Sequence, residues 1–352
     1  MTRDELTKQI DDCEPIRKLS LAGSDLSGGA FLGGVFEEVD FTATDLRGAT
    51  LERATLIKCN LSKAILEDAN LESASIVECD LSGARLSNAR AGSAKFLKSK
   101  LVGASFAQVG LATATILQCD LTRAVFAGVQ FDRVSVVNCT TTGIDLSTTT
   151  WHRGVLLNAD VREAKLDGAT FFRSTLVGAN FAGRSLPGLG LATCTLNAAD
   201  FSGCDLSGAD FTQCMLVAAK LAGARLTGAR LTQAVLSNAV LAKADLSEAD
   251  LTQAILVGAD ATGANFSRAN LYQATATGLN ASEARFAGAD LTYADFSHAI
   301  LDRADLAGVT FSRTNLHSVS DIDARIPSRG GALATDPERT KAETWHERSP
   351  AG

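Results

Sequence analysis

The stretch KADLSEADLTQA, Lys243 to Ala254, places a leucine at every fifth residue, each preceded by Ala-Asp. Five is not a helical period, because leucines five apart advance by about 140° around a helix turning roughly 100° per residue. It is not a strand period either, because an odd step puts successive leucines on opposite faces of the pleat. Leu246 and Leu251 can share one interior only if the chain turns a corner between them.

The frame extends far beyond this stretch. From Ile16 to Leu316 every position of the form 5n+1 can be read without an insertion, and 50 of these 61 positions are Leu or Phe. The exceptions include Trp151 and Thr141, with Ala at 91, 261, 276 and 281. Two residues before the centre stands Ala in 34 cases and Cys in seven, so the neighbouring inward slot is small. Two residues after it stand 21 of the chain's 30 glycines, as a turn residue with positive φ requires. Pro187-Gly188 fits the two central residues of such a type II turn. Short sides joined by turns, with all centres inward, make a solenoid with a filled interior.

A longer period sets the number of sides. TLIKCNLSKA from Thr55, SIVECDLSGA from Ser75, TILQCDLTRA from Thr115 and SVVNCTTTGI from Ser135 recur at multiples of twenty. Four pentapeptides therefore make one coil, and about fifteen coils are expected at the inter-strand spacing of about 4.8 Å. GADFT, NADVR, GANFS and GADLT match the A-(D/N)-L-(S/T)-G pattern, so the chain resembles the pentapeptide-repeat family. That resemblance implies an all-β, right-handed quadrilateral β-helix. The match weakens across Asn138 to Gly154, and again at Arg184 and Leu189, where distorted coils are expected. The expected organisation is a helical cap over 1–15, one solenoid over 16–320, and a polar tail over 321–352 with a possible short helix. Thr2 and Glu5 form a capping-box pattern before Leu6. Asp336 and Pro337 read as the start of a tail helix that could dock through Trp345.

Composition narrows function. The net charge is −7, of which only −3 falls on the repeats. That is neither a nucleic-acid-binding surplus nor a strongly acidic field. The start has no apolar leader and no run approaches a membrane span of about 20 residues; a cytoplasmic protein is expected. Seven of the eight cysteines occupy the small inward slot, and a straight column Cys59, Cys79, Ser99, Cys119, Cys139 cannot supply a tetrahedral cage. They read as packing residues, kept reduced. His152, His298, His317 and His346 are scattered; His298 and His317 fall on one side of adjacent coils and read as a solvated pair. No catalytic residue, cofactor site or metal site is assigned, and the chain reads as non-enzymatic.

The outward columns carry the functional signal. Directly after the core residue of one side stand Ile57, Val77, Leu97, Leu117, Val137, Leu157 and Val177 in consecutive coils. Val217 and Val257 extend the column, and Val155, Met215, Val235 and Ile255 stand just before the core residue on the same side. This stripe is expected to contact a protein partner or a second copy, or to be the ordinary composition of a pleated side. Another column reads Arg133, Arg153, Arg173, Thr193, then Gln213, Gln233, Gln253 and Gln273. The glutamines suggest an amide ladder. The arginines need anions, either Asp132 and Glu163 or an acidic partner. The family resemblance also implies a DNA-mimicking inhibitor or protector of gyrase, of the quinolone-resistance type. Asp40, Asn60, Asp80, Lys100, Asp120, Thr140, Asp160, Asn180 and Asp200 form only a partial acidic edge for that role. CEPIRKLSLAGSDLSG, Cys13 to Gly28, also looks like arrays associated with bacterial secretion systems.

Overall fold

The computed structural model describes residues 2–344, and Trp345 and His346 lie outside the described residues. The chain divides into two compact units, Met1–Phe181 and Ala182–Gly352. Each unit is a parallel β-solenoid whose turns repeat every twenty residues.

The first unit opens with helix α1 (Arg3–Asp11), capped as its sequence predicts: Glu5 N–H donates to the Thr2 hydroxyl, and Thr2 N–H donates to the Glu5 carboxylate. Leu6 is its buried residue. One side of the following turns is an eight-stranded parallel sheet. Its strands are β1 (Ile16–Arg17), β2 (Val35–Glu37), β3 (Thr55–Ile57), β4 (Ser75–Val77), β5 (Lys95–Leu97), β6 (Thr115–Leu117), β8 (Ser135–Val137) and β10 (Val155–Leu157). A second side carries a three-stranded sheet of β7 (Gln130–Asp132), β9 (Thr150–His152) and β11 (Thr170–Phe172). Named strands thus mark eight turns, all in the first unit, where about fifteen coils were expected along one solenoid. Most of these strands carry a branched, long apolar or aromatic residue after the core residue, as suits an extended backbone. Elsewhere the sides shrink to single bridges at the same spacing, as in the second unit's ladder Asp205↔Arg225, Arg225↔Asp245 and Asp245↔Asn265. That unit ends in helix α2 (Pro337–Glu343), whose N-cap Asp336 accepts from the amides of Glu338 and Arg339.

The motif's chemistry is visible at each corner. The inward leucines and alanines are buried, Leu246 and Ala249 at 0% exposure. The aspartate before the leucine accepts from the amide two residues on, as Asp245 does from Ser247 at 3.1 Å. Where Ser or Thr follows the leucine, its hydroxyl often donates to the same oxygen, as Thr252 does to Asp250 at 2.5 Å. The second residue after the leucine has positive φ at almost every corner, whether Gly203 at 64° or Lys243 at 58°. The Ala-Asp-Leu-Ser/Thr-Gly pattern is therefore one packed slot, one turn cap, one core residue, one cap donor and one left-handed corner.

Across Asn138–Gly154, where distorted coils are expected, no bridge joins Thr140 to Asp160 among the described residues, and crowding of the core begins earlier. Trp151 stacks on Phe131 with centroids 4.0 Å apart, and Phe126 stacks on Phe106 at 4.4 Å. Val109, Val129, Val134 and Ile144 fill inward slots that Ala holds elsewhere, so these coils carry excess volume. Arg90 bridges Gly110, but among the described residues no bridge joins Gly110 to Gln130. A cavity of about 390 Å³ opens there, lined by Gln108, Gly110, Leu111, Gln130 and Asp132 among others. Polar groups in the core are paired: the Thr141 hydroxyl donates to the Asp160 carbonyl at 2.8 Å, and Trp151 Nε1 donates to Thr149 at 3.2 Å. Among the described residues the Ser297 hydroxyl is the exception.

Candidate interaction faces

The apolar column lies on the eight-stranded sheet. Ile57 pairs in register with Val77, Val77 with Leu97, Leu97 with Leu117, Leu117 with Val137, and Val137 with Leu157. Val177 follows one turn later, outside a named strand. All seven side chains are half-buried, while the core residues one position before them are buried. Alternation within each three-residue strand forces this, since the residue after an inward side chain must point out. Six steps of about 4.8 Å give a stripe about 30 Å long. Each side chain is partly covered by its neighbours above and below, which accounts for the half-burial. In the second unit Met215, Ile255 and Val257 are more exposed, at 39%, 36% and 37%.

The three-stranded sheet has different chemistry. Asp132, His152 and Phe172 stack outward on β7, β9 and β11, and Arg133, Arg153 and Arg173 stand at the next position. Asp132 takes hydrogen bonds from Arg133 (3.1 Å) and shares one with His152 Nδ1 (3.2 Å), and these hold its carboxyl below the usual range, the His152 bond foremost. Asp132 is therefore the counter-ion expected for Arg133. Glu163 instead lines a cavity of about 130 Å³ with Thr142, Asp160 and Arg162. The glutamines form the expected ladder: Gln213 donates to Gln233, Gln233 to Gln253 and Gln253 to Gln273, each at 2.8 Å.

The cysteine column packs as its frame predicts. The Cys59 amide donates to the Cys79 sulfur at 3.3 Å, and the Cys79 thiol lies within reach of the Leu56 and Val77 carbonyls. Ser99 takes the same place with its hydroxyl on the Leu97 carbonyl at 2.9 Å. The Cys59 thiol and then burial push Cys79 far above the ordinary thiol range, and burial pushes Cys214 up to about 12. Such thiols stay protonated and are poor nucleophiles or ligands.

The histidine pair differs from expectation. His317 is 1% exposed, not solvated. Its Nδ1 accepts from the Asp336 amide (3.1 Å), so Nε2 carries the proton and faces Glu343 (3.0 Å). His298 lies 3.4 Å from the same carboxylate. The His317 bond, helped by Arg339, brings Glu343 down to about 2. His298, His317 and Glu343 are close enough together to hold a cation. A metal-bound imidazole, however, normally donates through its other nitrogen, and here that nitrogen faces a donor. The cluster fits a hydrogen-bonded clasp between α2 and the preceding turns better than a metal centre. Sequence reasoning missed it because Glu343 is brought in by the tail.

A parallel solenoid of twenty-residue turns, with an apolar interior and columns of repeated side chains outside, defines a repeat scaffold. The pentapeptide-repeat profile matches in eight copies spread over residues 20–72 and 176–317. The chain belongs to the pentapeptide-repeat family. No curated protein matches it. Among solved structures it is similar to QnrB1, a plasmid-mediated fluoroquinolone resistance protein, at 21% identity and TM-score 0.37, over 54% of this chain and 92% of that one. HetL, a pentapeptide repeat protein involved in heterocyst differentiation regulation from the cyanobacterium Nostoc sp., matches at 22% identity and TM-score 0.21, over 96% and 98%. Rfr23 from the cyanobacterium Cyanothece matches at 17% and 0.16, over 51% and 98%. Scores this low carry no function across. No helix among the described residues is long and apolar enough to cross a membrane.

Proposed function

We propose that this chain is a non-enzymatic binding scaffold whose contact surface is the stripe Ile57, Val77, Leu97, Leu117, Val137, Leu157 and Val177. The observation that carries this reading is the register: six of the seven lie on consecutive paired strands, making one flat apolar band with no charged residue in it. A protein surface of matching flat, apolar character, on a partner or a second copy, removes that band from water at about 25 cal/mol per Å² of apolar area. The test is the triple variant Leu97→Lys, Leu117→Lys, Val137→Lys in the full chain. It should fold, yet lose self-association or its co-purifying protein. A folded triple variant with both unchanged would end the proposal.

Gyrase mimicry fits less well. Asp40, Asp80, Asp120 and Asp160 each spend an oxygen on a turn amide, and Lys100 and Thr140 interrupt the column. Inhibition of gyrase supercoiling at low micromolar protein would reverse this preference.

A further inference from the structure

We infer that the three-stranded face β7–β9–β11 is a second interaction surface, built to take an acidic peptide segment that carries an aromatic side chain. Three observations within the first unit converge on it. Phe172 is 45% exposed on a strand, where a soluble surface gains nothing from it. Its ring stacks on His152 with centroids 5.8 Å apart and planes 11° from parallel, extending a flat π surface across two turns. Arg173 lies over the Phe172 ring at 5.2 Å, in cation–π range.

Charge supplies the second half of the recognition. Arg133, Arg153 and Arg173 all occupy left-handed corners, with φ of 54°, 53° and 50°, which projects them outward at successive turns about 4.8 Å apart. Asp132 neutralises Arg133. Among the described residues no carboxylate lies within ion-pair distance of Arg153 or Arg173, whereas Arg162, Arg225, Arg230, Arg268 and Arg303 are paired. Arg123, Arg285 and Arg313 also lack one, but none of these has a second arginine one turn away. Two like charges this close repel unless an anion sits between them. A planar guanidinium pair at that spacing matches the carboxylates of an acidic segment, and the adjacent Phe172–His152 surface matches a ring beside them. The complementarity points to acidic peptide rather than nucleic acid, because the cationic pair is local and the repeats as a whole carry no basic surplus.

The probe is a fluorescein-labelled peptide of four glutamates around one tryptophan, titrated into the full chain and read by anisotropy at low and high salt. Binding should weaken with salt. It should weaken by about ten-fold in R153Q/R173Q and about three-fold in F172S. It should be unchanged in R123Q and in the triple lysine variant of the apolar stripe, which separates this surface from the one proposed above. Arg123, Arg153, Phe172 and Arg173 are exposed, and unchanged thermal melting establishes that the variants fold. Absence of binding at millimolar peptide, or binding insensitive to R153Q/R173Q, overturns the inference. So does tighter binding of a single-stranded oligonucleotide that the same variants abolish.

Discussion

At the residue scale, the left-handed corner is the costliest demand the fold makes on its sequence. A β-branched or bulky side chain there strains the backbone by about 1–2 kcal/mol, and Thr113, Thr148 and Thr193 all accept that strain. Each of these threonines donates its hydroxyl to the carbonyl just before it, at 2.6–2.7 Å, a local compensation. Gly203 sits at such a corner with φ 64° and open space where a Cβ would be. Gly203→Ala should therefore cost about 1 kcal/mol through the backbone alone. Gly110→Ala, with equally open space and no positive φ, should not lower stability. Equal melting losses for the two in thermal denaturation would refute the corner account.

At the element scale, each column of equivalent residues behaves as a unit, and the column through Cys59, Cys79, Ser99, Cys119 and Cys139 contains its own control. Ser99 already fills that slot with a bonded hydroxyl, so Cys79→Ser should change stability by less than about 1 kcal/mol. Cys79→Val, inserting volume where the chain usually has Ala, should cost about 1–3 kcal/mol. Denaturant titration of the two variants checks the order, and the reverse order would show that the slot is not limited by size. Columns also mark what was legible. The inward frame, the positive-φ corners, the Gln ladder and both terminal caps can be read from spacing, because each depends on residues at fixed separations. The opening beside Gly110 cannot be read that way, because it depends on summed volume; its trace is Val109, Val129, Val134 and Ile144 in slots of Ala size. The arginine column is visible in the frame, whereas its stacked His152–Phe172 surface depends on β9 and β11 extending as strands, which the pentapeptide pattern does not announce. The clasp at His317 depends on a tail that lies outside the repeat altogether.

At the scale of the whole molecule, the outward aspartates act together. Asp25, Asp40 and Asp205 are held below their ordinary pKa, chiefly by hydrogen bonds from Ser27, Thr42 and Ser207 respectively. A carboxyl depressed by folding contributes stability that is fully present above its unfolded value of about 3.9 and is lost as pH falls through the folded value. The melting temperature should therefore hold to about pH 5 and fall below about pH 4. Asn265 caps the Ser267 amide at 3.1 Å in the same way without a titratable group. Asp205→Asn should keep the cap and weaken the acid dependence, while Asp205→Ala should lower the melting temperature at neutral pH. An acid profile identical for all three proteins would remove the caps from the stability of the fold.

In the proposed scaffold adjacent residues on one strand divide the labour, the first holding the fold and the second making the contact. Ile76 is 1% exposed inside the solenoid, and Val77 stands half-buried in the stripe. The direct measurement is light-scattering mass of Ile76→Lys and Val77→Lys, each taken with its thermal melt. Ile76→Lys should fail to fold, because a charge enters the core unpaired. Val77→Lys should melt near the parent chain while the self-association or partner binding of the parent is weakened. Equal destabilisation by the two, or a folded Val77→Lys that associates as the parent does, would contradict it.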